Sequence, residues 1–271
     1  MQFESFGQKG KPLLVCVPGL MGGPEDFRGM LPIWEPHLHV IILDPNAEHR
    51  MSTITTSVMR EISYDSTSKD ILKIIDEQGA QKAVVTGISL GGKIVYDFAA
   101  KFPERLQGAL ITDVGPGAFN DSTLYNFVID IVYNTDMNME WPALKEHLKV
   151  AIPDRSMRSL LQSQITYPDR IPPAIWKTGM QNFDNMLRRQ EIADQFDALE
   201  KVDAQLADAG SVIKLMRAGS ISGVGESSLP RIRALRSVQI VDLKDATHFL
   251  HVTHKDLVAH EALALFKPDG T

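Results

Sequence analysis

The sequence predicts an α/β fold: a mostly parallel central sheet with helices on both faces, interrupted by an inserted helical cap. Two observations carry this expectation. Short apolar runs rich in β-branched residues alternate with helical patterns towards both ends of the chain, and the alternation stops over one long central segment. A third observation is compatible with it: 271 residues at 44% hydrophobic and 23% charged suffice for a substantial core without disulfide or metal staples.

The candidate strands are residues 13–17, 40–43, 83–86, 109–112, 212–216 and 238–241. Their near-continuous apolar character suits strands buried on both faces, and parallel neighbours need a helix to return the chain. Thr67 followed by Asp70, ahead of Ile71, Ile74 and Ile75, reads as a capping box opening one such helix. From about Phe119 the pattern turns helical throughout, broken by Pro142, Pro153, Pro168, Pro172 and Pro173, so several short helices are expected. The organisation is therefore a core of residues 1–117 and 210–271 with a cap of residues 118–209, hinged at Gly115-Pro116-Gly117.

Charge and cysteine usage narrow the function classes. Twenty-eight Lys and Arg against 34 Asp and Glu leave a net charge of −6, which disfavours nucleic acid and anionic membrane surfaces as partners. The single cysteine, Cys16, lies inside an apolar run and excludes an internal disulfide or a cysteine-rich zinc site. The first residues lack the apolar core of a signal peptide, and no stretch has the length of a membrane span. The expectation is a cytoplasmic protein acting on a small-molecule substrate, with no metal or organic cofactor. Nothing in the pattern indicates an oligomeric state.

The chemistry is signalled by Gly87-Ile88-Ser89-Leu90-Gly91, placed between a strand and a helix whose apolar face is Ile94, Val95, Phe98 and Ala99. In that context G-x-S-x-G forces the serine onto a sharp turn, with glycines where a side chain would crowd neighbouring backbone. The helix beginning there aims its amides and positive dipole end at any anion formed, making the Leu90 amide an oxyanion donor. A helix-capping serine in a glycine-rich turn is the plainer alternative.

With the glycine-rich loop Pro18-Gly19-Leu20-Met21-Gly22-Gly23 after the 13–17 run, the chain resembles the α/β-hydrolase family over nearly its full length. The resemblance implies the α/β-hydrolase fold and makes the Leu20 amide the second oxyanion donor, with Pro18-Gly19-Leu20 standing where His-Gly-x is usual. It also implies that His248, on the loop after the last strand, is the general base, with Thr247 where glycine is common. His251 and His254 are read as cap-facing or helix-start residues rather than metal ligands, and His37, His39 and His49 as solvated.

The acid departs from the usual pattern. After residues 212–216 comes Arg217-Ala218-Gly219-Ser220-Ile221-Ser222-Gly223, with Ser222 where most of the family has a carboxylate. The preceding strand ends at Asp113, and the chain thereby resembles members with the triad acid after strand 6, among them certain haloalkane dehalogenases, lipases and ring-cleavage-product hydrolases. Asp113 is the first candidate and Glu226 the next; Asp242 and Asp245 are read as shaping the His248 loop, and Asp44 as a structural aspartate.

For substrate contact the candidates are Met21, Arg28, Trp141 and Trp176, alongside Met30, Met157, Met180 and Phe183, with cap packing as the alternative for the apolar ones. Arg28 and Arg217 are candidates to hold a substrate carboxylate. The leading expectation is a serine hydrolase cleaving a carboxylic ester or thioester through an acyl-enzyme. The rivals are a C–C or amide hydrolase acting on a catabolic intermediate, and a ligand-binding or cofactor-free oxygenase member of the fold.

Overall fold

The computed structural model of the chain describes residues 1–19, 22–44, 64–118, 122–176 and 194–266. Its strands are β1 (Gln2–Gly7), β2 (Leu13–Val17), β3 (His39–Asp44), β4 (Ala83–Ile88), β5 (Leu106–Thr112), β6 (Ile165–Thr166), β7 (Ile175–Trp176), β8 (Ile213–Ala218) and β9 (Val238–Leu243). Among the described residues seven of them form one sheet in the order β1-β3-β2-β4-β5-β8-β9, antiparallel only where β1 meets β3. Alternate residues of the central strands feed opposite layers: Leu13, Val15 and Val17 join one apolar cluster, Leu14 and Cys16 the other. All six strands expected from the sequence are present. The polar edge strand β1, whose burial alternates, is an addition.

Helices longer than two turns are numbered α1 (Tyr64–Glu77), α2 (Leu90–Lys101), α3 (Thr123–Asn134), α4 (Trp141–Ala151), α5 (Arg155–Ser163), α6 (Phe196–Asp208) and α7 (Lys255–Leu263). Helix α1 already includes Tyr64, so Thr67 stands inside it and not at a cap. Its buried face runs Tyr64, Thr67, Ser68, Ile71, Ile74 and Ile75, one turn longer than the isoleucines alone suggest. The central segment is also not wholly helical, because β6 and β7 pair antiparallel around the proline-rich stretch. Cys16 is fully buried, and burial pushes its thiol well up.

Helix α6 lies within residues 118–209, the segment whose helical pattern predicts a cap, and it packs on α2. The two necks meet beforehand: Gln195 donates its amide N–H to the Pro116 carbonyl at 2.9 Å and its side chain to the Lys93 carbonyl at 2.7 Å. Lys93, on α2 and fully buried, donates Nζ to the carbonyl of Gly117. A helix pattern cannot tell cap from core, because both bury one apolar stripe.

Burial pulls the Lys93 ammonium down from 10.5 to about 7, against the opposing attraction of Asp194. Above pH 7 the folded protein gives up this proton while the unfolded chain keeps it, so stability is expected to rise with pH. Near pH 10 the buried phenols of Tyr64, Tyr96 and Tyr125, all pushed up by burial, reverse the trend. Denaturant melts between pH 7 and 9.5 should show this rise in the wild type, and Lys93→Met should flatten it.

Candidate active site

Strands β2, β4, β5, β8 and β9 run parallel, so the loops after their carboxyl ends share one edge of the sheet. Ser89 follows β4 directly with φ of 51° and ψ of −119°, a left-handed conformation unusual for a non-glycine residue. Its amide donates to the Thr112 carbonyl at the end of β5 at 3.0 Å, fastening the turn to the neighbouring strand. The glycines are required sterically: a Cβ at Gly87 would lie 2.6 Å from the backbone of Gly91, and one at Gly91 would strike the Val17 carbonyl. Leu90 is the first residue of α2, so its N–H belongs to the first-turn donors that the helix itself leaves unpaired.

One residue beyond β5, Asp113 is fully buried, also at positive φ (52°), and its amide donates to the Met216 carbonyl of β8 at 2.8 Å. Its carboxylate accepts four bonds. Oδ1 receives the Ala218 amide at 2.8 Å and the Ser222 hydroxyl at 2.7 Å; Oδ2 receives the Gly223 amide at 2.9 Å and lies 2.7 Å from His248 Nδ1. Burial works against the charge, but the bonds from His248, Ser222 and Gly223 outweigh it and hold the carboxyl below its usual range. Ser222 thus faces Asp113 as a hydroxyl donor, in the loop where the family pattern expects the acid.

His248 is also buried, with Phe249 edge-on to its ring at a centroid distance of 5.6 Å. Ser89 and His248 line the same cavity of about 290 Å³. Its apolar wall is Leu124, Tyr125 and Val128 of α3, Met157, Leu160 and Leu161 of α5, and Phe249; its polar side is Glu25, Asp26 and His251. Burial, reinforced by His248, pushes His251 down to about 4, so its ring is neutral at ordinary pH. Its Nδ1 is buried without a hydrogen-bond partner among the described residues. A hydroxyl on a strained turn, an imidazole in the same cavity and a buried carboxylate on the far ring nitrogen are the parts needed for nucleophilic attack on a carbonyl.

Several sequence candidates lie elsewhere. Arg28 is on the surface, donating to both Glu4 carboxylate oxygens at 3.1 and 2.9 Å and lying over the Phe6 ring of β1, the strand the sequence reading lacked. Arg217 pairs with Glu226 and, at 3.2 Å, with Asp242, which engages the clamp candidate and the alternative acid with each other. Trp141 packs edge-on to Tyr167 on the outside of the insertion, 40% exposed, and Trp176 of β7 donates its indole N–H to the Val132 carbonyl at 3.2 Å. Neither lines the cavity; Met157 does. Met30 is core, and Leu20, Met21, His49, Met180 and Phe183 lie outside the described residues. His39 is buried in β3 beside the Ser5 hydroxyl at 3.0 Å and is not solvated.

Tyr125 was missed. It is 3% exposed and lines the cavity that Ser89 and His248 share. The signal was present in Ser122 followed by Leu124, Tyr125, Val128 and Ile131, a capped helix with one buried stripe.

Comparison with known proteins agrees with this fold. The family described as alpha/beta hydrolase fold matches residues 12–158. The chain is 20% identical to an sn-1-specific diacylglycerol lipase of Danio rerio over 260 residues, 93% of this chain and 77% of the relative. Of several other curated relatives it spans between 36 and 40% of the length. Among solved structures, a meta-cleavage product hydrolase superposes with a TM-score of 0.64 at 18% identity, covering 97% of this chain and 93% of that one. A marine microorganism esterase does so with a TM-score of 0.62 at 17% identity, covering 98% of each.

Proposed function

The chain belongs to the α/β hydrolase fold family and is an enzyme, a hydrolase, and from that premise we propose that it cleaves a carboxylic ester or thioester of a small molecule through an acyl-enzyme on Ser89. His248 takes the Ser89 proton as the Oγ–carbon bond forms, then returns it to the leaving group as the ester bond breaks. Asp113 holds the ring with Nδ1 protonated and stabilises the imidazolium. The Leu90 amide, with the Leu20 amide as its partner, receives the oxyanion. Water activated by His248 then releases the acid, and each backbone donor contributes about 3 kcal/mol in the transition state. The observation carrying this reading is the buried 2.7 Å contact between His248 Nδ1 and Asp113 Oδ2, on a histidine that shares its cavity with Ser89.

The lining of the cavity favours an uncharged ester over the carboxylate-bearing intermediate considered from sequence. Glu25 and Asp26 stand on its polar side, while Arg28 and Arg217 are engaged with other carboxylates. The leucines and methionine of α3 and α5 suit an apolar acyl group, in keeping with the lipase and esterase names of two of the similar proteins. No helix among the described residues is long and apolar enough to cross a membrane. The cytoplasm is the proposed site of action, in keeping with the lone buried thiol of Cys16.

A fluorophosphonate probe is expected to add once, to Ser89, and an excess of short-chain p-nitrophenyl ester should slow the labelling. The same ester bearing a terminal carboxylate on its acyl chain should show kcat/KM lower by 10-fold or more. Absence of both adduct and ester turnover, with saturable binding of a small molecule or with oxygen uptake, would refute the reading in favour of a receptor or oxygenase.

A further inference from the structure

Helix α3, which supplies part of the apolar wall of the cavity, is fastened to the same residue that holds Asp113. The carbonyl of Ser222 accepts the Ser122 hydroxyl at 2.9 Å, the Thr123 hydroxyl at 3.2 Å and the Leu124 amide at 3.1 Å. Ser122 also caps the helix by accepting the Tyr125 amide at 3.4 Å. On its other side, Ser222 Oγ accepts the Val224 amide at 3.0 Å and donates to Asp113 Oδ1 at 2.7 Å. An amide N–H can only donate and an ionised carboxylate can only accept, so the direction of the Ser222 hydroxyl is settled. The loop also runs flush against the acid: Val114 and Gly223 form a parallel bridge, and a Cβ at Gly223 would strike the Asp113 carbonyl. Ser222 is buried, which keeps bulk water from competing for these bonds.

We propose that Ser222 is a positioning residue that couples the seating of helix α3 to the placement of Asp113: its carbonyl holds the helix and its hydroxyl fixes the acid. This rests on the reading of His248 and Asp113 as base and acid. Without the hydroxyl, Oδ1 would keep only the Ala218 amide, and the Val224 amide would lose its acceptor. The carboxylate would then be both less firmly oriented and a stronger base. A stronger base holds the imidazolium more tightly, so the ring would release its proton only at higher pH. His248 is the group that reports the change. The Tyr125 phenol, which also feels Asp113, is kept protonated by burial, and the His251 ring, which feels His248, is pushed down to about 4. Arg217 of β8 is engaged by Glu226 and Asp242. Displacing the start of α3 would pull on the Ser222 carbonyl and loosen the same hydroxyl from the carboxylate, so a well-seated cavity wall and a well-held acid go together.

The test is Ser222→Ala, read by the pH profile of ester hydrolysis. The acid limb of kcat/KM should move to higher pH by about half a unit or more, with kcat on the plateau lower by about 10-fold, the range for one hydrogen bond to a charged group. The His248 ring titration, followed by NMR, should move in step. A purely structural role would lower stability and leave both midpoints in place, and that result would overturn the assignment. The link to the helix is tested by Ser122→Ala with Thr123→Val, which should move the limb in the same direction by less, and should move it no further in the Ser222→Ala background. No movement from the pair, or an equal further movement in that background, would overturn the coupling. If the alanine variant is poorly folded, Ser222→Cys puts a weaker donor in the same place and should give a smaller shift of the same sign; an unmoved limb would overturn the proposal. Wild-type protein that takes no fluorophosphonate and hydrolyses no ester removes the reading of Ser89, and the NMR titration, which needs no turnover, then decides the role of Ser222 by itself.

Discussion

Ser89→Ala is expected to lower ester turnover on the order of 10⁶-fold, to the residual level that the cavity and amide donors alone sustain. The effect is this large because the Ser89 hydroxyl is set by the positive φ of a turn packed so closely that a Cβ at position 87 or 91 would strike neighbouring backbone. Folding should survive, since the Ser89 amide bond to Thr112 is independent of the side chain. A companion variant separates chemistry from stability. Ser89→Gly should be equally inactive yet more stable by about 1–2 kcal/mol, because glycine adopts φ of 51° without strain. Steady-state kinetics and thermal melts on the two variants measure both effects. Retained turnover in Ser89→Ala would place the chemistry on another group.

Asp113→Asn is the second large effect, an expected loss of about 10⁴-fold in kcat accompanied by lower stability. The carboxylate accepts from Ala218, Ser222, Gly223 and His248, so every one of its partners is a donor in the present arrangement. An amide nitrogen in place of either oxygen confronts a backbone N–H that cannot turn away. The imidazole loses the anion that selects its tautomer. Two disrupted charge-assisted bonds amount to about 3–6 kcal/mol before relaxation, so chemical melts should show a clear loss alongside the kinetic one. The same arithmetic gives an acid dependence. With the folded carboxyl held below its unfolded value, its stabilisation is full above the ordinary carboxylate range and is lost as pH falls through the folded value. Near-normal kcat in Asp113→Asn would exclude Asp113 as the acid; Glu226, paired with Arg217 outside the cavity, would then have to be tested.

Much of the fold was legible because its determinants are local. Strands β2, β3, β4 and β5 are buried almost throughout and so must be apolar, which made them readable, while β8 and the edge strand β9 were readable from their short β-branched and apolar runs although β9 has no buried residue. The elbow was readable because a strained turn between strand and helix demands glycines at fixed offsets from its serine. The edge strand β1 was not, since its burial alternates and its polar residues resemble a loop until β3 pairs with it. Its absence from the reading also misplaced Arg28, whose partner Glu4 and stacking ring Phe6 both lie on that strand.

By itself, the sequence determined the layered sheet, the position of Ser89 on its turn and the loop that bears His248, because hydrophobic period and glycine spacing act over a few residues. Tertiary structure alone decided which donors surround Asp113, that α6 packs on α2, and that Tyr125 lines the cavity of Ser89. His248 and Asp113 are 135 residues apart in the chain. Whether two such side chains meet depends on the order and register of parallel strands, and on where an inserted helix is pinned, neither of which leaves a periodic trace in the residues themselves.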